Sequence, residues 1–202
     1  KVEKQVMAFY YTWYGTPSYS GRWVHWEEGG HHPDPMPTPE PGHRDIGATH
    51  HPDPDVYDSN DPELIRRQLA LCEEMGIDAL IATWWGIGDY HDRALKVVIA
   101  EANKRNKTKL TVYYEVVPNP VGVASAVKDL AYILDTYGDE PAFLKHDGIP
   151  VIFVYGRAIH QLNATDWGEV LSQVRTQRQA IFIADSGSSE FIERFDGGHS
   201  YN

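Results

Sequence analysis

The sequence predicts an α/β fold of the (β/α)8 TIM barrel class, of which this chain holds about the first six βα units. Short apolar runs that are typical of parallel strands alternate with amphipathic helical stretches along the chain. No Gly-x-Gly-x-x-Gly motif follows the first strand, which disfavours the alternative of an open, doubly wound dinucleotide-binding sheet. Aromatic and acidic residues gather where the strands end, which is where a barrel carries its chemistry.

Six runs are predicted as strands because they are continuously apolar rather than alternating, as expected for strands covered on both faces. They are residues 6–11, 79–84, 110–115, 150–155, 181–185 and 195–200. A (β/α)8 barrel needs eight strands. We therefore expect two further βα units outside this chain.

Four helical stretches lie between these strands, each with an apolar stripe at helical spacing. The first begins at Asn60-Asp61-Pro62-Glu63, which offers a cap residue, a proline in the first turn and an early acid, and it ends at Gly76. The four stripes are Ile65, Leu69, Cys72 and Met75; Leu95, Val98, Ile99 and Ala102; Val127, Leu130, Ala131 and Leu134; and Trp167, Val170, Leu171 and Val174.

Residues 15–59 form an unusually long segment that is rich in Pro, Gly and His and contains the motif HHPDP at 31–35 and 50–54. Segments of this length are usually functional or disordered. We predict a long loop over the active-site face of a single domain spanning 1–202. Its His and Asp residues match no zinc spacing, and each His pair precedes a proline, which suits an exposed extended loop. We therefore predict no metal and no cofactor.

The composition excludes several classes of partner. The chain has 29 acidic against 18 basic residues and a net charge of −11, so its surface repels nucleic acid. Its longest apolar runs are too short to span a membrane. Cys72 is the only cysteine, which excludes an internal disulfide. No signal peptide is visible at Lys1, as expected for a mature secreted or periplasmic chain.

Aromatic residues at the strand ends predict a carbohydrate site, because the apolar face of a pyranose stacks on a ring while carboxylates bind its hydroxyls. Successive strand residues point in opposite directions, so one of Trp84 and Trp85 can be core while the other faces ligand. Trp85 lies nearer the loop. The candidate substrate contacts are Tyr11, Trp13, Trp84, Trp85, Tyr155 and Asp185, the last with helix capping as an equal alternative.

Glu115 is the candidate catalytic residue, because a carboxylate at a strand end inside an aromatic cleft is a common position for a glycosidase acid, base or sugar ligand. The alternative is a structural ion pair with Arg157. Between the second strand and the second helix, one of Asp89 and Asp92 is expected to cap the helix.

Seven stretches occur in the order known from one family. They are FYYTWYG (9–15), RWVHW (22–26), RDIGATHHPDPDVYDSNDPELIRRQ (44–68), GIDALIATWWGIG (76–88), YILDTYGDEPAFLK (132–145), IPVIFVYG (149–156) and FDGGHSYN (195–202). On these stretches the chain resembles glycoside hydrolase family 99, the endo-α-1,2-mannosidases and endo-α-1,2-mannanases. The resemblance implies a (β/α)8 barrel, a mannose-containing oligosaccharide or polysaccharide as substrate, and cleavage within the chain with retention and without metal.

The resemblance also implies a mechanism in which one carboxylate deprotonates the sugar's own 2-hydroxyl, which attacks the anomeric carbon while a second acid protonates the leaving oxygen. By position, Trp85 would stack on the sugar, Glu115 would contact its hydroxyls and Tyr11 would face the reaction centre. Two departures stand out. Val116-Val117 replace the family's Pro-Tyr, and the Asn-Glu-Trp-x-Glu motif of its catalytic pair does not occur in this sequence. We therefore expect a C-terminally incomplete chain with the catalytic pair outside it.

Two other functions stay open from the sequence. One is a non-hydrolytic carbohydrate-binding or polysaccharide-assembly domain with a family 99-like barrel. The other is a metal-dependent hydrolase that uses the His-Pro-Asp loop.

Overall fold

The computed structural model describes residues 4–34, 44–53, 55–105 and 107–201, and within them six parallel strands and their connecting helices form a half-barrel. The parallel strands are β1 (Met7–Tyr10), β2 (Ala79–Trp84), β3 (Lys109–Tyr114), β5 (Ile149–Val154), β6 (Ile181–Asp185) and β7 (Gly197–His199), and the short β4 (Lys145–His146) pairs antiparallel with β5. The helices are α1 (Pro17–Ser20), α2 (Pro62–Glu74), α3 (Tyr90–Arg105), α4 (Val123–Tyr137), α5 (Gly156–Gln161), α6 (Ala164–Gln177) and α7 (Ser189–Ile192), with a 3-10 turn at Glu28–Gly30. The parallel strands neighbour one another in chain order, which confirms the predicted barrel class for these six units.

The predicted strands match the observed ones closely. Residues 79–84 and 181–185 agree at both ends, and the other four differ by one or two residues at each end. The antiparallel pair of β4 and β5 was not predicted. Asp147 and Gly148 join its strands with φ of 51° and 80°, as a two-residue hairpin turn requires.

The two faces of the sheet carry two apolar clusters in the described part of the chain. Leu80, Ala82 and Trp84 point to the helices, where they pack with the outward residues of the neighbouring strands. Ala79 and Ile81 point to the concave side, where they join Tyr113, Leu144, Val151 and Phe153. Because side chains alternate along a strand, this division continues to the strand ends and decides which terminal residues reach the concave side.

The helices form as their stripes predict, with one exception. The Asp61 carboxylate accepts a hydrogen bond from the Glu63 N–H at 2.8 Å, and Ile65 is fully buried. The predicted stripe residues of α3 and α6 are all buried. Met75 is the correction: it is 74% exposed, because α2 ends at Glu74 and Gly76 turns the chain away with φ of 73°.

The described part of 15–59 is more structured than the predicted loop. Beyond α1 and the 3-10 turn, Gly15 and Val24 exchange backbone hydrogen bonds of 3.0 and 3.1 Å. Trp26 is 2% exposed, stacks on Tyr14 at 3.9 Å and donates its indole N–H to the Tyr57 carbonyl at 2.8 Å. Aromatic packing therefore ties this segment to the end of β1.

Parts of the segment lie outside the described residues, including Pro35 and Pro54 of the two HHPDP motifs. Within the described ranges, no group of three or more His, Cys, Asp or Glu side chains is arranged to hold a metal ion. None of the helices in those ranges combines the length and the apolar character needed to cross a bilayer. That the segment covers the active-site face stays a prediction.

The loop between β2 and α3 is fixed by two acids. The Asp89 carboxylate accepts from the Asp92 N–H at 2.9 Å, which is the predicted helix cap. Asp92 is fully buried, and its carboxylate accepts from the Trp84 indole (3.0 Å), the Gly88 N–H (2.9 Å), the Tyr132 hydroxyl (2.8 Å) and the Tyr137 hydroxyl. Burial acts to raise the pKa of Asp92, but these hydrogen bonds outweigh it and the pKa is lowered. Asp92 is therefore a buried anion that joins the loop to the core.

Replacing Asp92 with Ala should destabilise the protein by about 3–5 kcal/mol, because the substitution leaves several buried donors without an acceptor. Urea denaturation measures the loss. Asp135→Ala on the exposed side of α4 is the matched control and should cost less than about 0.5 kcal/mol. A similar, small loss in both variants would contradict the assigned role of Asp92.

Candidate active site

A cleft of about 270 Å³ opens at the carboxyl ends of the parallel strands. It is lined by Tyr11, Trp13, Trp85, Tyr113, Glu115, Tyr155, Arg157 and Tyr201. Five of these were predicted as site residues: Tyr11, Trp13, Trp85, Glu115 and Tyr155. The structure therefore brings together residues from four successive strand ends, and it adds three that the sequence analysis did not propose for the site.

Glu115 lies immediately after β3 and is only 4% exposed. Its backbone N–H donates to the Trp84 carbonyl at 3.1 Å, which continues the pairing with β2 past the strand end. No side chain or backbone group in the described residues forms a hydrogen bond or an ion pair with its carboxyl group. The alternative of a structural ion pair with Arg157 is therefore not what the structure shows.

Burial raises the pKa of Glu115 to about 7. The positive charge of Arg157 opposes this rise, and the negative charge of Asp185 adds to it. Near neutral pH the carboxyl group is thus divided between its protonated and ionised forms. A group in that condition can donate a proton or accept one, which is what acid–base chemistry on a sugar requires.

Trp85 forms one wall of the cleft, and it is partly exposed. Its ring stacks with His91 at a centroid distance of 5.6 Å and an interplanar angle of 23°. Trp84 is the correction to the predicted site. It is fully buried on the helix-facing side, where its ring lies 5.9 Å from Tyr114, because the strand pleat turns it away from its neighbour.

The rest of the cleft is lined by aromatic rings that contact one another. Tyr11 stacks on Trp13 at 4.4 Å, and the hydroxyl groups of Tyr11 and Tyr201 share a hydrogen bond. The Tyr113 and Tyr155 rings lie 5.1 Å apart across β3 and β5. These faces provide the flat apolar surfaces on which sugar rings stack.

Asp185 lies behind the wall of the cleft and does not line it. One carboxylate oxygen accepts from the Tyr113 hydroxyl and the Gly156 N–H, both at 3.1 Å, and the other accepts from the Tyr201 N–H at 3.0 Å. Both carboxylate oxygens of Asp185 already accept hydrogen bonds from the protein. The structure therefore supports the alternative prediction for Asp185, a helix cap, over a substrate contact. The helix capped is α5, which begins at Gly156.

The three lining residues that were not predicted differ in whether the sequence carries a signal for them. Tyr113 stands two positions before Glu115, so the strand period alone places both on one face. Tyr201 lies two positions after His199, the last residue of β7, so the same two-residue period predicts that it shares a face with His199. Arg157 lies inside α5, and only the folded arrangement of β2 and β5 brings it to Trp85.

A larger cavity of about 730 Å³ lies against α2 and is lined also by α1 and by residues 52–53 and 55–58. It is lined by acidic and aromatic side chains such as Asp58 and Trp23. It shares no lining residue with the strand-end cleft. The strand-end cleft is the candidate active site because it lies at the carboxyl ends of the strands, where a barrel carries its chemistry.

Glycoside hydrolases act through carboxyl groups, and barrel enzymes carry their chemistry at the carboxyl ends of the strands, so an aromatic cleft around Glu115 fits that class of enzyme. Residues 1–184 match the sequence model of "Glycosyl hydrolase family 99", and the chain belongs to that family.

Relatives and solved structures agree with this membership. The glycoprotein endo-alpha-1,2-mannosidase of Mus musculus is 26% identical over 96% of this chain and 47% of its own length. The glycoprotein endo-alpha-1,2-mannosidase-like protein of Homo sapiens is 27% identical over 100% of this chain and 50% of its own length. The GH99 endo-alpha-mannosidase from Bacteroides thetaiotaomicron superimposes with a TM-score of 0.80 at 28% identity, over 100% of this chain and 62% of that one. The chain thus spans about half the length of these two relatives.

The substitution Glu115→Gln should make stability less dependent on pH. Because the pKa of Glu115 is raised, the stability its protonated form contributes is fully present below the usual carboxyl pKa and is lost as pH approaches about 7. The variant should therefore be more stable than wild type by up to about 3 kcal/mol at about pH 8, and equally stable near about pH 4.

Chemical denaturation across this pH range measures the difference. The exposed Glu190→Gln variant is the control and should follow wild type throughout. A Glu115→Gln variant that is less stable than wild type at the higher pH would show that the carboxylate is held by a favourable contact.

Proposed function

We propose that the protein containing this chain is an endo-acting, retaining glycoside hydrolase that cleaves α-mannoside chains of the α-1,2-mannan or N-glycan type. Family membership and the names of the relatives support this proposal. The observation that carries it is the placement of the Trp85 indole and the unpaired Glu115 carboxyl group in one strand-end cleft.

In the proposed complex the apolar face of a mannose unit stacks on Trp85, and the Glu115 carboxyl group binds the hydroxyls of the sugar. Tyr11, Trp13 and Tyr155 supply the remaining walls. Asp185 acts on the substrate only indirectly, because it holds the Tyr113 hydroxyl and the start of α5. This division follows from the hydrogen bonds: the Glu115 carboxyl group has no partner among the described residues, whereas that of Asp185 has three donors.

The proposed reaction has two steps. A base removes the proton of the 2-hydroxyl, whose oxygen forms a bond to the anomeric carbon as the bond to the leaving oxygen breaks, and an acid protonates that oxygen. Water then attacks the anomeric carbon of the 1,2-anhydro sugar and the proton returns to the 2-oxygen. Each step inverts the configuration at the anomeric carbon, so the product has the same anomeric configuration as the substrate. We propose that the acid–base pair lies outside these 202 residues and that Glu115 serves binding.

The natural full-length protein should cleave α-1,2-linked mannooligosaccharides at internal bonds and release products that are initially α-anomers. Proton NMR of the reaction identifies the anomer, and chromatography identifies the bond cleaved. EDTA should leave the rate unchanged. Binding without cleavage would favour the carbohydrate-binding alternative, and loss of activity in EDTA would favour the metal-dependent one.

The Trp85→Ala substitution should weaken binding of an α-mannooligosaccharide by about 1–3 kcal/mol, because it removes an aromatic anchor. Isothermal titration calorimetry measures the change. Trp23→Ala is the matched control, since Trp23 is also partly exposed but lines the other cavity. Equal affinity in wild type and Trp85→Ala would contradict the stacking role.

A further inference from the structure

Arg157 brings a guanidinium group into the cleft whose N–H donors have no hydrogen-bond acceptor among the described residues. It forms no hydrogen bond and no ion pair there, although the chain carries an excess of carboxylates. Five other arginines do pair with carboxylates: Arg44, Arg66, Arg105, Arg175 and Arg178. The donors of Arg157 are therefore available to a ligand.

The backbone at Arg157 is held by the cap of α5. The Gly156 N–H donates to Asp185 at 3.1 Å, and a Cβ atom at position 156 would lie 3.1 Å from the same carboxylate oxygen. Glycine thus allows the close approach that fixes the first turn of the helix. The following residue is directed over the cleft as a result.

The Arg157 side chain is exposed, and its guanidinium group lies across the aromatic wall. The guanidinium carbon is 4.7 Å from the ring centroid of Trp85 and 5.7 Å from that of Tyr155. A contact of this kind is worth about 0.5–1 kcal/mol at an exposed site. It is strong enough to orient the planar group and weak enough for a ligand to adjust it.

Arg157 and Glu115 line the same cleft without forming an ion pair, so a ligand between them is within reach of both. A planar guanidinium presents pairs of parallel N–H donors, which match two neighbouring oxygen acceptors. Two adjacent hydroxyls of a pyranose provide such acceptors, and the indole of Trp85 beside them takes the apolar face of the ring.

We propose that Arg157 is a sugar-binding, specificity-determining residue, whose guanidinium donates two hydrogen bonds to adjacent hydroxyls of the sugar that stacks on Trp85. This inference rests on the proposed function and adds to it a requirement for two free, neighbouring hydroxyls on the bound sugar.

The test compares Arg157→Lys and Arg157→Gln in the natural full-length protein, with an α-1,2-linked mannotriose as the calorimetric probe. Both variants should bind it roughly tenfold more weakly, because neither retains the planar pair of donors. Arg22→Lys, at an exposed arginine outside the cleft, is the matched control and should bind like wild type.

The pH dependence of binding separates charge from geometry. The ionisable groups that face Glu115 are Arg157, Asp185, Tyr11 and Tyr113. Loss of the cation in Arg157→Gln removes the charge that lowers the pKa of Glu115, so the midpoint of the binding profile should move to higher pH. Arg157→Lys keeps a positive charge and should leave the midpoint in place.

The outcomes distinguish this inference from the proposed function. Failure of wild type to bind the trisaccharide would overturn the proposed function and the inference with it. Normal binding by wild type and by Arg157→Lys would overturn the inference alone, because an ammonium group cannot reproduce the paired donors. Removing one of the two hydroxyls from the trisaccharide should weaken its binding to wild type about as much as Arg157→Gln does. The same removal should leave the affinity of Arg157→Gln unchanged, and this pair of results would support the inference.

Discussion

The register of the parallel strands decides which side chains reach the cleft. Thr83 pairs with Tyr113, and Tyr113 with Phe153, so the concave-side residues of three strands stand in line. Two positions beyond Thr83 and Tyr113 lie Trp85 and Glu115, on the same side. A slip of one residue in β2 would turn Trp84 towards the cleft and Trp85 into the helix layer. The geometry of the site is therefore set by strand pairing, and contacts between the site residues themselves are secondary.

Three buried or partly buried acids near the strand ends differ because their donors differ. Asp92 accepts four hydrogen bonds and its pKa is lowered, so it serves as a fixed anion within the core. Asp185 accepts three and links the walls of the cleft to α5. Glu115 accepts none from the described residues, and burial raises its pKa to about 7. A carboxyl group is thus a fixed anion where donors surround it, and it has a raised pKa and free acceptor oxygens where aromatic rings surround it.

Much of the fold could be predicted because its strands and helices carry strong periodic patterns. The buried stripe of α6 and the strand at 79–84 are of this kind. The sequence predicts that one of Trp84 and Trp85 lies in the core and the other in the cleft, because successive strand residues point in opposite directions. The strand period alone does not say which residue takes which place. Met75 was misassigned because periodicity continues past a helix end. Arg157 was considered only as an ion-pair partner of Glu115, because its position in the cleft depends on a contact with the ring of Trp85 from another strand, which no local pattern records.

The hydrogen bond from the Gly88 amide to Asp92 has a consequence for recognition. The loop that carries Trp85 is held from behind by a buried anion, so its backbone is already ordered in the empty cleft. The loop therefore loses its conformational freedom when the chain folds and not when a ligand binds. A preorganised surface of this kind lets most of the stacking energy appear as affinity, and it favours fast capture over slow rearrangement.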